Sequence, residues 1–251
     1  MLINSYRFGD ADAAAYIAAV QAADGQALET TTAAAITAFI VGCKQDGIWS
    51  AIKASCILAG ARTLAGALVP LVGTAPTNFN FVSGDYNRKT GLAGDGSTKT
   101  LGTNRAENAD PQNSMHLAIY ASSRGNNSVG ILGDDNAVPY SQIGSTSSGQ
   151  FNGYGQTSGD QPATISGSAN FVGFARNNSS NYVARGAGTS QTIASTSSAA
   201  GSSNYVIYGY AGTSLYRSTA RLAFYSIGES LDLALLDTRV TALITAISTA
   251  F

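Results

Sequence analysis

The sequence predicts a mainly β protein: an antiparallel jelly-roll β-sandwich carrying a small N-terminal helical subdomain and a C-terminal amphipathic helix. Three observations predict it. From Gly84 to Thr219 the chain is dominated by Gly, Ser, Thr and Asn, with short apolar runs recurring between turn-rich pieces. Before Pro76 the apolar residues repeat with the 3.6-residue period of a helix, and after it with the period of two of a strand. Beyond Glu229 the helical period returns and holds almost to Phe251. These shifts divide the chain into residues 1–76, 77–228 and 229–251.

The first helix starts with Asp10 or Asp12 as its cap. Ala13, Tyr16, Ile17 and Val20 then make one apolar face, and Asp24-Gly25 stops it. A second helix runs from Glu29 to Gln45 on Ile36, Phe39, Ile40 and Cys43, and ends at Asp46-Gly47. A third is expected from Ile48 to Ala59, with Trp49, Ile52 and Cys56 on one side. Alanine-rich surfaces let these helices approach closely. Residues 61–76, apolar but interrupted by Gly and Pro, read as a packed connector.

Phe79 to Val82 is the first strand-like run. Met115, Leu117, Ile119 and Ala121 alternate with His116, Ala118 and Tyr120. Phe171 to Arg176 and Asn181 to Arg185 form a hairpin across Asn177-Asn178-Ser179-Ser180. Tyr205 to Tyr210 and Arg221 to Ile227 are further strands. Many short strands at this spacing suggest a sandwich or jelly roll. The final helix, capped near Ser230 or Asp232, aligns Leu236, Val240, Leu243, Ile244 and Ile247. So apolar a face needs a surface to bury against, either the N-terminal helices or a neighbouring subunit. Leu236, Val240, Leu243 and Ile247 are therefore candidate assembly contacts.

At 251 residues the chain is long enough for a sizeable core. Hydrophobic residues make up 44%, which excludes general disorder, whereas charged residues make up only 12%. The net charge of -1 steers the protein toward neither nucleic acid nor an anionic membrane. A polar, uncharged surface suits packing against copies of itself or a larger assembly. Met1 to Asp10 has no basic region leading into an apolar core, so a secretory signal is not expected, and the apolar stretch Ile57 to Val72 is too interrupted to be expected to span a membrane. Cys43 and Cys56 read as small buried apolar residues, with a disulfide requiring facing helices.

No catalytic set stands out. The single histidine, His116, lies in a strand pattern and reads as structural. Gly94 to Thr100 superficially looks like a phosphate loop, but Thr98 stands where a glycine should precede Lys99, so a turn is expected. Asp134-Asp135-Asn136, with Asp95 or Asp160, could ligate calcium from a loop; a solvated turn is the plainer expectation. Glu107 and Glu229 make a weak glycosidase pair. The protein is therefore expected not to be an enzyme and to use no cofactor. The tyrosines allow two readings. One is buried packing with hydroxyls at the rim. The other is a glycan or protein contact patch formed by Phe151 and Tyr154 in the 150–156 loop and by Tyr208 and Tyr210, which share a strand face with Val206.

The run Gly91-Leu92-Ala93-Gly94-Asp95-Gly96, followed by Gln112 to Tyr120, resembles the opening of laminin-G/concanavalin-A-like jelly rolls. Arg221 to Gly228 followed by a helix resembles their last strand. With Asn78-Phe79-Asn80-Phe81-Val82-Ser83-Gly84-Asp85-Tyr86-Asn87-Arg88 and the alanine-rich start, the whole is similar to virion proteins of tailed bacteriophages, including cyanophages. That resemblance implies a capsid decoration (cement), tail-fibre or baseplate component in a virion assembled in the host cytoplasm. It implies docking through the helical parts, display of a lectin-like sandwich, other virion proteins as partners and a homo-oligomer, with a trimer by analogy. The alternative expectation is a carbohydrate-binding module that recognises host-surface glycan. Nucleic-acid binding and membrane insertion are not expected.

Overall fold

The computed structural model describes residues 9–134, 140–158, 162–210 and 216–251. Two antiparallel sheets face each other in a jelly-roll-like sandwich, and helices layer the outer face of one of them. Helices α1 (Ala11–Asp24) and α2 (Thr30–Gln45) lead into β1 (Ile52–Ile57) and a single turn, α3 (Leu64–Ala67). Strands β2 (Thr77–Phe79), β3 (Tyr86–Asn87), β4 (Gly91–Ala93), β5 (Thr100–Ala106) and β6 (Met115–Ser123) follow. Next come β7 (Gly130–Gly133), β8 (Tyr140–Ser145), β9 (Phe151–Thr157), β10 (Ala163–Ile165), β11 (Phe171–Arg176) and β12 (Asn181–Gly186). The chain closes with β13 (Thr189–Ala194), β14 (Asn204–Ile207), β15 (Arg221–Gly228) and α4 (Leu233–Ser248). The helix-covered sheet has the order β13-β12-β11-β6-β15-β4-β3, with β1 also paired to β15. The second sheet has the order β10-β9-β8-β7-β14-β5-β2.

The end helices form where their caps dictate. The Asp10 carboxylate accepts from the backbone N–H groups of Asp12 and Ala13 and is held by Lys44 Nζ at 2.7 Å. Gly25, at φ 68°, supplies the left-handed residue that ends α1. Asp232 caps α4 by accepting from Ala234 and Leu235. The buried Asp24 at the end of α1 accepts from the N–H groups of Arg62 and Thr63 and from the Thr63 hydroxyl, at 2.7–2.8 Å. It thereby ties the connector to the helices.

The expected third helix is corrected. After a 3-10 turn at Trp49–Ala51, residues 52–57 are strand β1, running antiparallel to β15 from Ile52 opposite Gly228 to Ile57 opposite Phe224. Ala54 and Cys56 face the sandwich core, whereas Ile52 and Ile57 face the helices. A strand buried on both faces has no polar side, so its apolar residues also fit a helical spacing. The segment 1–76 is therefore not purely helical; it contributes a strand to the covered sheet.

Leu236, Val240, Leu243 and Ile247 are buried within the chain, packed with α1, α2 and the covered sheet. They are not free for assembly contacts, because the N-terminal helices and the outer face of β15 already satisfy that apolar face. Arg239 crosses Gly42, where a Cβ would lie 2.7 Å from its guanidinium carbon, to pair with Asp46 at 2.7 Å. Cys43 lies in this helical layer and Cys56 on the sandwich side of the sheet, so the sheet separates them and both are free thiols. Burial pushes each thiol up to about 12. No helix among the described residues is long and apolar enough to cross a membrane.

Candidate functional site

Among the described residues no helix covers the outer face of the second sheet, and that face is paved with glycine. Register places Gly130, Gly144 and Asn152 in one row across β7, β8 and β9, and Gly133, Gln142 and Tyr154 in the next. The Tyr210 ring lies across this floor. A Cβ built at Gly130 would sit 2.6 Å from its Cε1, at Gly133 2.7 Å from its Cδ1, and at Gly144 2.5 Å from its hydroxyl. Only residues without side chains leave room for the ring. Tyr154 stacks at a tilt on Tyr140, centroids 5.3 Å apart, and Tyr210 on Tyr216 at 6.0 Å.

Between the two tyrosine pairs runs an open groove of about 300 Å³, lined by Ser128, Val129, Gln142, Ser145, Asn152, Tyr154, Tyr210 and Tyr216. None of these side chains is charged. Burial raises the Tyr154 and Tyr210 phenols above their ordinary value, Tyr154 further by its neighbour Tyr140, so both stay protonated at neutral pH. The Gln142 amide oxygen is shielded from solvent and, among the described residues, meets no hydrogen-bond donor. A buried acceptor without a partner gains from any ligand that brings an O–H or N–H to it.

Of the four residues expected in a contact patch, the structure brings together only Tyr154 and Tyr210. Phe151 is not in a loop; it begins β9 with its ring fully buried in the sandwich core. Tyr208 does not share the face of Tyr210. It has φ 71°, a left-handed conformation rare outside glycine, which breaks the strand alternation after Ile207. Its ring therefore enters the core against Phe81, and its hydroxyl donates to Leu92 O at 2.6 Å. Tyr140, Gln142 and Asn152 escaped sequence reasoning. The signal was present as alternation in two strands, Tyr140-x-Gln142-x-Gly144 and Asn152-x-Tyr154, but glycine-rich runs read as turns.

The other constellations resolve structurally. His116 is buried on the helix side of β6, with Nδ1 2.6 Å from Glu229 O and Nε2 2.8 Å from Ser226 Oγ. Asp95 accepts from the N–H groups of Ser97, Thr98 and Lys99 and from the Thr98 hydroxyl, which makes that segment a turn. Of the possible calcium ligands, Asp135, Asn136 and Asp160 lie outside the described residues, among which no cluster of three metal-ligating residues occurs. Buried Glu107 accepts from the Ser141 hydroxyl and from Gly201 N, and Glu229 pairs with Lys53 at 2.9 Å.

No family model and no curated protein matches the chain. Solved structures match it at low identity. A Trypanosoma rangeli sialidase in complex with a difluoro-KDN has a TM-score of 0.49 and 10% identity over 80% of this chain and 34% of its own. A GH54 arabinofuranosidase mutant has a TM-score of 0.39 and 13% identity over 64% of this chain and 41% of its own. An HCR/D mutant has a TM-score of 0.47 and 11% identity over 77% of this chain and 51% of its own. The chain thus spans about a third of the length of the sialidase. Because glycoside hydrolases are among these matches, the expectation that the chain is not an enzyme is withdrawn. At such identities the likeness concerns the β-sandwich alone and assigns no activity to this chain.

Proposed function

We propose that this protein is a β-sandwich that binds neutral glycan in the tyrosine groove of its helix-free sheet. The observation that carries the reading is the glycine-paved floor, which lays aromatic rings across a sheet face beside two side-chain amides. Sugar rings present C–H faces that pack on tyrosine and hydroxyls that pair with amides and serines. With no charge in its lining, the groove favours an uncharged sugar over an acidic one. A glycan array, run with and without calcium, is expected to give neutral-oligosaccharide hits in both conditions. Tyr154→Ala should weaken the best of them by about tenfold, or ~1.4 kcal/mol, in titration calorimetry. A blank array in both conditions, or hits indifferent to Tyr154→Ala, would sink the reading.

The second part of the reading is location. The resemblance of Asn78 to Arg88 and of the alanine-rich start to tailed-phage virion proteins supports a place on a phage particle. There a glycan-binding sandwich would face the host surface. Docking to the particle would use surface outside the buried α4 face. Mass spectrometry of purified particles is expected to find the chain in stoichiometric amounts; its presence only in the host lysate would count against this part.

A further inference from the structure

The helix-covered sheet ends in a long open edge. The six residues of β13 pair with β12 over six consecutive positions without a bulge, from Thr189 opposite Gly186 to Ala194 opposite Asn181. Among the described residues, no backbone hydrogen bond reaches β13 from its other side. All of its residues except Ile193 are exposed. The other sheet ends are short or covered: β3 has two residues, β2 and β10 three each, and β1 is bridged at Ser55 by Val72. Monomeric proteins blunt their edges by such shortness, or by charge, proline or bulges. Thr189-Ser190-Gln191-Thr192-Ile193-Ala194 uses none of these devices.

The outer face beside this edge is also uncovered. A groove of about 580 Å³ runs there between Val183 and Ser190 on the strands and Leu231 and Leu233 at the start of α4. Edge and groove form one continuous surface through Ser190.

We propose that β13 is a self-association edge, on which a second copy of this chain lays its own β13 antiparallel and joins the two covered sheets into one. The choice of a second copy follows from the composition of the strand. Across a two-fold axis normal to the sheet, the residues of β13 face residues 188–195 of the copy, the same uncharged segment. An axis at Gln191 sets Thr189 against Ile193 and Ser190 against Thr192. An axis at Thr192 sets Ser190 against Ala194 and Gln191 against Ile193. A Lys or Glu on the axis would face its own like charge, and one beside the axis would lie diagonal to it; the segment has neither. The nearest strand cation, Arg185, is already neutralised by Asp237 at 2.9 Å. With a net charge of -1 on the whole chain, little long-range repulsion opposes the approach.

Sedimentation equilibrium of the full chain tests this. The wild type is expected to be dimeric at micromolar concentration. Thr192→Lys, which sets lysine beside its own copy, should sediment as a monomer with unchanged far-UV circular dichroism and melting temperature. Thr245→Lys, on the exposed side of α4, should remain dimeric. Gln191→Cys or Thr192→Cys should form an intermolecular disulfide under mild oxidation, against a silent background because Cys43 and Cys56 are buried. A monomeric wild type, or an oligomer that persists in Thr192→Lys, overturns the proposal.

Discussion

Phe224→Ala is expected to cost about 3–5 kcal/mol of folding stability, a large share of the 5–15 kcal/mol typical of a folded protein. Phe224 lies on β15, fully buried, opposite Ile57 of β1 and Tyr120 of β6. Its ring meets Phe39 of α2 edge to face, centroids 5.7 Å apart at 68°. It is thus where the helical layer is anchored to the sheet. Truncation removes the transfer energy of the ring and leaves a cavity that packed helices cannot fully close. The midpoint should fall by on the order of 10 °C in a chain of this size. Phe39→Ala and the double variant close a cycle whose coupling should be about 1 kcal/mol, the worth of an edge-to-face pair. Leu235→Ala, 37% exposed on α4, should stay within about 0.5 kcal/mol. Urea denaturation measures all four. A loss below about 1 kcal/mol for Phe224→Ala would show that the helices are held elsewhere.

The second large effect is one of pH. A carbonyl oxygen can only accept, so His116 Nδ1 carries the proton toward Glu229 O, and Nε2 accepts from the Ser226 hydroxyl. Both nitrogens are satisfied in the neutral ring. Burial lowers the imidazole from 6.5 to about 4, against the raising effect of the Glu229 carbonyl, with Arg105 adding a little repulsion. The unfolded chain therefore binds this proton more readily than the folded one, and stability rises with pH across that interval. The contribution is complete above about pH 6.5, is lost as pH falls, and is gone below about 4. The full interval is worth about 3 kcal/mol, of which about 2 kcal/mol is lost by pH 5. Carboxylates titrate lower, so from pH 7 to 5.5 the histidine dominates. Because the chain has one histidine, its Cε1–H resonance needs no assignment. It should not shift between pH 8 and 5 while the protein stays folded, and urea midpoints should fall over the same range. A resonance titrating near 6.5 would refute the buried neutral ring.

Where amphipathicity is one-sided, the sequence was legible. Met115, Leu117, Ile119 and Ala121 on β6 enter the sandwich core as their alternation requires, and the Phe171–Arg176 and Asn181–Gly186 hairpin turns where its Asn and Ser residues stand. α1 and α4 start at the aspartate caps Asp10 and Asp232, and α1 stops at Gly25, all written into the chain. Legibility failed where a strand is buried on both faces, as in β1. It failed again where glycines build a floor rather than a turn, as in β7 to β9.

The sequence by itself determined the sandwich class, the framing helices and the polar, charge-poor character of the protein, because these follow from local periodicity, capping and composition. Only the tertiary structure decided which tyrosines line the outer face of the second sheet. The left-handed turn at Tyr208 sends that ring into the core, while pairing of three glycine positions across β7 and β8 makes space for Tyr210 on the outside. Only the tertiary structure decided that α4 is spent internally, because an apolar face is covered by whichever surface lies against it. Both outcomes depend on neighbours far apart in the chain.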